Sequence, residues 1–246
     1  GDLRWRAPQA AKAWSGVRAA DRFGNDCRQG LTPNGLGPWT PEYMAAGPVS
    51  EDCLYLNVWT PADAGEKRPV LVWVHGGAFT SGSGAVPIYN GAALAQKGII
   101  VVTFNYRLGV YGFLADRQLT AEAGASGNYG LMDQVAALQW VRDNIAAFGG
   151  DPQRVTVAGQ SAGAMSVHDL IASPKAAGLF HQAIAQSGSG MGFDPPPLMI
   201  VEAQGAGLRH AAGVTTIAEL RALAPDAVEA AATKAGRFGP VLDGVV

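Results

Sequence analysis

Ser161 is the residue of this chain best placed to act as a nucleophile. It lies at the centre of Gly159-Gln160-Ser161-Ala162-Gly163, a G-x-S-x-G pattern. A β-branched run at 155–157 precedes the pattern and a helix-compatible stretch begins at Ala164. This strand, tight turn and helix predict a nucleophile elbow, in which small neighbours allow the serine a strained backbone conformation. An ordinary serine in a strand-to-helix turn is the alternative.

A second motif could supply donors to a developing negative charge. The apolar run 69–74 predicts a strand buried on both faces of a parallel sheet, and it leads directly into His75-Gly76-Gly77-Ala78-Phe79. Loops of this type contribute backbone amides to an oxyanion hole, together with the amide of the residue after the nucleophile. We therefore predict that the amides of Gly77, Ala78 and Ala162 form such a hole.

The spacing of apolar residues elsewhere predicts the elements that position these motifs. Strands are expected at 52–60, 99–105 and 181–186, a short helix at 91–97, a long helix at 131–148, and amphipathic helices at 198–212, 217–223 and 227–235. The pair Gly149-Gly150 is expected to end the long helix. Because strands and helices alternate, we expect a mainly parallel sheet with right-handed crossovers.

Composition excludes several classes of partner. The 246 residues are 48% hydrophobic and 15% charged, with a formal net charge of −2. This balance is typical of a globular protein with one large core. It gives no electrostatic reason to bind nucleic acid or an anionic membrane. We also expect no membrane span, because no apolar run reaches the required length.

The motifs resemble those of type-B carboxylesterases, the cholinesterase-like branch of the α/β-hydrolase fold. Besides the two motifs above, the matching segments are 51–58 (E-D-C-L-Y-L-N-V), 105–109 (N-Y-R-L-G), 127–134 (G-N-Y-G-L-M-D-Q), 144–145, 148–152, 186–188 and 240–244. The resemblance covers nearly the whole chain. It implies a single α/β-hydrolase domain over 1–246, with helices on both faces of the sheet and a cap-like helical segment at 198–235. It also implies hydrolysis of a small-molecule ester through an acyl-enzyme, with neither a metal ion nor a cofactor. The aromatic and apolar content near the cleft indicates that the ester is uncharged.

Two residues beside the nucleophile are singled out by the same resemblance. Gln160 stands where many members of the family carry glutamate, so a negative charge next to Ser161 is absent here. Ser187, at the end of a predicted strand, could place a hydroxyl near the acid of a catalytic triad. A purely structural turn at Ser187 is an equal alternative. A catalytically inactive binding or adhesion module of the same fold is the alternative for the whole protein, although retention of Ser161 and the glycine loop argues against it.

Cys27 and Cys53 are the only cysteines, and they bracket a long loop rich in Gly, Pro, Asn and Asp. Composition leaves two possibilities open, a disulfide or two free thiols in a cytoplasmic enzyme. The resemblance implies a disulfide that closes the loop 27–53. A disulfide in turn implies an extracellular or periplasmic protein, with the cytoplasm as the alternative.

The base and the acid of a triad are harder to find. His75 belongs to the glycine loop and is expected to brace it, His168 to point away from Ser161, and His181 to pack or cap. A triad of Ser161, Asp194 and His210 has the right chain order, but its acid and base lie too close in sequence to sit on separate strand ends. In the resembling family the acid is a glutamate beyond the segment matching 240–244, and the histidine follows it. We therefore expect both to lie in a missing C-terminal half, and the fold to be truncated at both ends.

Overall fold

Two sheets of very different size form the fold, in a computed structural model that describes residues 1–61, 66–188 and 194–246. The small sheet pairs β1 (Asp26–Cys27) with β2 (Val49–Ser50) in parallel. The strands of the large sheet are β3 (Leu56–Trp59), β4 (Arg68–Val74), β5 (Ile100–Phe104), β6 (Gly150–Gln160) and β7 (Gln182–Gln186). Their spatial order is β3-β5-β4-β6-β7, and only β3 runs antiparallel to its neighbour. The mainly parallel sheet predicted from the sequence is confirmed.

Eight α-helices of the described residues lie between or after these strands. They are α1 (Ala92–Ala95), α2 (Gly109–Phe113), α3 (Arg117–Ala123), α4 (Tyr129–Asn144), α5 (Ala162–Ala172), α6 (Leu198–Ala211), α7 (Ile217–Ala222) and α8 (Pro225–Ala235). Helices α1, α4, α6, α7 and α8 are close to predicted positions, whereas α2 and α3 were not predicted. The long helix α4 buries its periodic apolar face and continues as a 3₁₀ turn to Phe148. It ends at Gly149, whose φ of +82° is the left-handed conformation that glycine adopts without strain. None of the helices described here has the length and apolar character needed to cross a membrane.

The prediction that β4 is buried on both faces is wrong. Val70, Val72 and Val74 are fully buried, whereas Leu71 and Trp73 on the other face remain partly exposed. The physical reason is an open cleft of about 490 Å³, which both of these side chains line. By contrast, all five residues of β5 are buried, as predicted.

The first predicted strand is also shorter than expected. Its alternating pattern begins at Asp52, but β3 begins only at Leu56. Residues 52–55 do not pair with a neighbouring strand as β3 does. Cys53 forms a disulfide with Cys27, and its carbonyl oxygen accepts from the Tyr55 amide at 2.8 Å. The Cys53 carbonyl also accepts from the Asn105 side chain at 3.1 Å, so its hydrogen bonds go to a turn and a side chain rather than to a strand ladder.

A disulfide joins Cys27 to Cys53, as the family resemblance implies. Both residues are almost completely buried, with 2% and 1% of their surfaces exposed. Cys27 is the last residue of β1, and Cys53 lies three residues after β2. The bond therefore closes the long loop at the base of the small sheet.

A buried ion pair fixes α4 to the segment that follows β5. Both oxygens of the Asp133 carboxylate accept from the Arg107 guanidinium at 2.7 Å, and one also accepts from the Arg107 amide at 3.0 Å. The Asp133 side chain is only 1% exposed. Such a pair anchors structure mainly because loss of one partner leaves a buried charge uncompensated. Its contacts support a structural role.

Replacing Asp133 with alanine is expected to lower the free energy of unfolding by roughly 3–5 kcal/mol, because the Arg107 charge then lacks its partner. Denaturant unfolding followed by circular dichroism measures the loss. Arg142 and Asp143 form the matched control, since their ion pair at 2.7 Å is exposed to solvent. Arg142→Ala should cost about 1 kcal/mol or less. Equal losses in the two variants would contradict the anchoring role.

Candidate active site

Ser161 lies between the end of β6 and the start of α5 with an unusual backbone conformation. Its φ is +56° and its ψ is −121°. A non-glycine residue in this region costs on the order of 1–3 kcal/mol and persists only where the surroundings impose it. Two hydrogen bonds contribute here: the Ser161 amide donates to the Gln186 carbonyl at 2.9 Å, and the Ser161 carbonyl accepts from Met165 at 3.0 Å. The positive φ between a strand and a helix is as expected for the G-x-S-x-G pattern, while the nucleophile elbow itself stays a prediction.

The glycines of the pattern are required by close contact between backbones. A methyl group on Gly163 would lie 2.1 Å from the Val74 carbonyl oxygen, and one on Gly159 would lie 2.4 Å from the Gly163 carbonyl oxygen. Gly76 packs on the serine itself, because a methyl group there would lie 3.2 Å from the Ser161 Cβ atom. The loop that follows β4 therefore lies directly against Ser161.

That loop, residues 75–84, is called the H-G-G loop below. Three consecutive residues, Gly77, Ala78 and Phe79, have φ values of +107°, +58° and +62°. The Gly77 carbonyl is turned into the loop, where it accepts from the amides of Thr80 and Ser81 at 3.0 Å each. Within the described part of the chain, the amides of Gly77, Ala78 and Ala162 donate to no protein acceptor. They are thus available to an outside acceptor, and their role in an oxyanion hole stays a prediction.

His75 is buried beneath the loop and has a defined tautomer. Its Nδ1 atom lies 2.8 Å from the Gly76 carbonyl oxygen, which can only accept, so Nδ1 carries the proton. The ring stacks on Tyr106 with a centroid distance of 4.3 Å, and the Tyr106 hydroxyl donates to the His75 carbonyl at 2.9 Å. Burial lowers the pKa of His75 to about 4, so the ring is neutral at pH 7. These contacts suit a residue that braces the loop.

Gln160 and Ser187 were also predicted to lie beside Ser161. Gln160 precedes the serine directly, and Ser187 follows β7. Gln160 lines the open cleft described above, together with Trp73 and Tyr89. Ser187 is exposed and has a φ of +51°. Its neighbour Gly188 packs against Ser161, since a methyl group there would lie 2.5 Å from the Ser161 carbonyl oxygen. The turn thus adjoins Ser161, and the role of the Ser187 hydroxyl near the acid of a triad stays a prediction.

No histidine or carboxylate forms a hydrogen bond with Ser161 in residues 1–61, 66–188 and 194–246. The backbone amide of His181 donates to the Val155 carbonyl at 2.8 Å. His210 and Asp194 are both exposed, and the bonds found in these ranges do not connect them. The same ranges contain no group of three or more His, Cys, Asp or Glu residues that could hold a metal ion.

Sequence reasoning missed the residues that anchor the H-G-G loop from outside. The Asn105 Oδ1 atom accepts from the Gly84 amide at 2.8 Å, and its Nδ2 atom donates to the Cys53 carbonyl at 3.1 Å. Arg237, just after α8, donates to the Ala78 carbonyl at 3.1 Å. No local pattern could have revealed these contacts, because the partners lie far apart in sequence.

The buried neutral state of His75 predicts a pH dependence of stability. Its pKa in the folded protein, about 4, lies below the ordinary value of 6.5, so the unfolded chain binds the extra proton first. The free energy of unfolding should therefore fall as pH drops from 6.5 to 4, by up to roughly 3 kcal/mol from this group. Urea unfolding at several pH values measures the slope. His75→Gln, which keeps a donor for Gly76, should have a shallower slope; equal slopes would contradict the assignment.

Known proteins are similar to this chain over most of its length. Residues 1–203 match the profile of the Carboxylesterase family. Fumonisin B1 esterase of Sphingopyxis macrogoltabida is 46% identical over 262 residues, covering all of this chain and 46% of that protein. Para-nitrobenzyl esterase of Bacillus subtilis is 48% identical over 190 residues, covering 77% of this chain and 37% of that protein.

A solved structure extends the agreement to the fold. A carboxylesterase of Geobacillus stearothermophilus superposes with a TM-score of 0.86 at 42% identity, covering 99% of this chain and 49% of that one. The chain thus spans less than half the length of the two curated relatives and about half that of the solved structure. Given a family profile matched over most of its length and relatives of this similarity, the chain belongs to the carboxylesterase family and has the α/β-hydrolase fold.

Proposed function

We propose that the whole protein hydrolyses small, uncharged carboxylic esters with Ser161 as the nucleophile. One observation carries the proposal: Ser161 has a strained backbone conformation with positive φ, and Gly76 of the H-G-G loop packs against its Cβ atom. This arrangement presents the serine next to a loop whose amides at Gly77 and Ala78 have no protein acceptor among the described residues. The family, in which the matched relatives are named esterases, supports ester hydrolysis as the reaction class.

The proposed reaction has two halves. The Ser161 Oγ atom attacks the ester carbonyl carbon, and the carbonyl oxygen becomes an anion facing the amides of Gly77, Ala78 and Ala162. Each such donor contributes roughly 3–4 kcal/mol to transition-state stabilisation. The intermediate then collapses, the alcohol leaves with a proton, and an acyl-serine remains. Water attacks that acyl group and releases the carboxylic acid, which restores the serine.

The base and the acid of the triad are proposed to come from sequence outside residues 1–246. Two observations support this assignment: the absence of a histidine bonded to Ser161 in the described ranges, and relatives more than twice as long as the chain. We propose that 1–246 is one incomplete domain, in which 198–235 forms a cap beside the site. The rest of the same protein is then the partner that completes it.

The nature of the ester is proposed from the surroundings of the elbow. The cleft beside Gln160 is lined by aromatic side chains, among them Trp39, Trp73 and Tyr89, which favours uncharged substrates. The amide of Gln160 adds no charge. The disulfide supports an oxidising compartment, either extracellular or periplasmic, because such bonds persist there.

Replacing Ser161 with alanine in the whole protein is expected to lower turnover of p-nitrophenyl butyrate by at least about 10⁴-fold, because the attacking oxygen is lost. A fluorophosphonate probe should label the parent at Ser161 and fail to label the variant. Residues 1–246 by themselves should show essentially no turnover. Spectrophotometric rates and mass spectrometry of the labelled peptide provide the two readouts.

Ser166→Ala is the matched control, because Ser166 lies on α5 and its hydroxyl accepts from Gln134 at 3.0 Å. Its turnover should stay within about threefold of the parent, since its hydroxyl makes only a structural hydrogen bond. Retained turnover in the Ser161 variant would refute the nucleophile. A whole protein that neither hydrolyses esters nor reacts with the probe would instead be an inactive binding module.

A further inference from the structure

The Gln29 carboxamide holds the H-G-G loop from outside. Its Oε1 atom accepts from the Gly82 amide at 2.8 Å, and its Nε2 atom donates to the Gly82 carbonyl at 2.8 Å. Nε2 also donates to the Cys27 carbonyl at 3.0 Å. Both backbone groups of one glycine are thus paired with one side chain, in the manner of a strand partner. Only this orientation of the amide satisfies both bonds, because a flipped amide would set donor against donor.

Gly82 lies in close contact with His75 and Gly76, the two residues whose hydrogen bond orients the Gly77 amide. Its φ is +113°, and a methyl group there would lie 2.4 Å from the His75 Nδ1 atom and 2.5 Å from the Gly76 carbonyl oxygen. These two atoms form the hydrogen bond that fixes the peptide between Gly76 and Gly77. The N–H of that peptide belongs to Gly77, so a shift of Gly82 would be passed to a donor of the proposed oxyanion hole.

The residues before Gln29 are themselves firmly anchored. Cys27 is joined to Cys53 by the disulfide. Arg28 forms a two-point ion pair with Glu229 of α8, with N–O distances of 2.7 and 3.0 Å, and also binds Asp226. Three consecutive residues thus attach the loop 27–53, helix α8 and the H-G-G loop to one another.

Helix α8 and the disulfide also reach the H-G-G loop by a second route. Arg237, two residues after α8, donates to the Ala78 carbonyl. Asn105 connects the Cys53 carbonyl to the Gly84 amide. Besides Gly82, the loop is therefore tied at Ala78 and Gly84, and the Phe79 carbonyl accepts from the Gly109 amide at 2.7 Å. Of the ties at Ala78, Gly82 and Gly84, the one at Gly82 lies against the hydrogen bond between His75 and Gly76, which Tyr106 supports from the other side by stacking on the His75 ring.

We propose that Gln29 is a positioning residue for the H-G-G loop, which keeps the Gly77 amide in place by holding Gly82 against His75. This inference rests on the proposed function for its effect on catalysis, but not for its effect on the loop. Gln29 touches neither Ser161 nor the amides of the proposed hole. Gln29 positions the loop through its hydrogen bonds to Gly82. The disulfide at Cys27 and the ion pair of Arg28 with α8 in turn hold Gln29 in place.

Gln29→Leu in the whole protein removes both hydrogen bonds to Gly82, and the one to Cys27, while keeping a side chain of similar size. We expect the amides of residues 80–84 to exchange with deuterium roughly 10-fold faster, because the loop opens locally more often. In an active parent, kcat for an uncharged ester should fall roughly 10- to 100-fold with KM changed less than about threefold, since only transition-state contacts are displaced. Gln9→Leu is the control, because Gln9 is exposed and bonds only the nearby Ala7 carbonyl.

Gln29→Glu tests the positioning role through the pH dependence of kcat, which a residue with a merely structural role would not change. A protonated carboxyl both donates and accepts, as the amide does, whereas the ionised carboxylate repels the Gly82 carbonyl. The ratio of variant to parent kcat should therefore fall as pH rises through the pKa of the new carboxyl, and exchange at 80–84 should accelerate over the same range. Gln9→Glu should show neither change.

The outcomes separate the two proposals. Unchanged exchange at 80–84 in Gln29→Leu would overturn the positioning role, whether or not the parent hydrolyses esters. Faster exchange with unchanged kcat in an active parent would overturn its link to catalysis. A parent without ester turnover or probe labelling contradicts the proposed function alone, because hydrogen exchange still decides whether Gln29 holds the loop.

Discussion

Close contact between three backbone segments holds Ser161 in its strained, positive-φ conformation. The end of β4, the end of β6 and the first turn of α5 meet at Gly76, Gly159 and Gly163, where a methyl group would collide with a carbonyl oxygen at each position. A strained residue persists only when its surroundings leave it no alternative. Here the parallel pairing of β4 with β6 and β6 with β7 fixes those surroundings. The rest of the fold supports this one junction.

The backbone carbonyl and amide groups of the H-G-G loop, next to this junction, are held in place by their hydrogen-bond partners. The carbonyls of Gly76 and Gly77 face into the H-G-G loop, where they accept from His75 and from the loop's own amides. Side chains from distant segments then pair with the backbone groups at 78, 82 and 84. A hydrogen-bonded peptide is polarised by its partners, which strengthens its remaining donor. Inward-facing carbonyls thus both fix the loop and favour donation from its outward amides.

The sequence predicted what is encoded locally. The G-x-S-x-G pattern predicts the positive φ of Ser161 because its steric demands fall on Gly159 and Gly163, each two positions from the serine, and the period of α4 matches its buried face. The exposed face of β4 could not be predicted, because burial there depends on what else covers the sheet. Gln29 and Arg237 carry no local signal, since their partners are 53 and 159 positions away. Composition alone left the state of Cys27 and Cys53 open, and only the family resemblance resolved it.

The N-terminal segment has a consequence for how the chain responds to proteolysis. Arg4 is buried, pairs with Glu51 and donates to backbone carbonyls at the end of α7, while the Trp5 ring donates to Val110 at 2.8 Å. The next stretch, 9–23, is exposed at every residue and forms neither helix nor strand. Backbone of this kind is where proteases cut most readily. A cut there would leave residues 1–6 bound through their buried contacts, so nicking of the chain and loss of its fold are separable events.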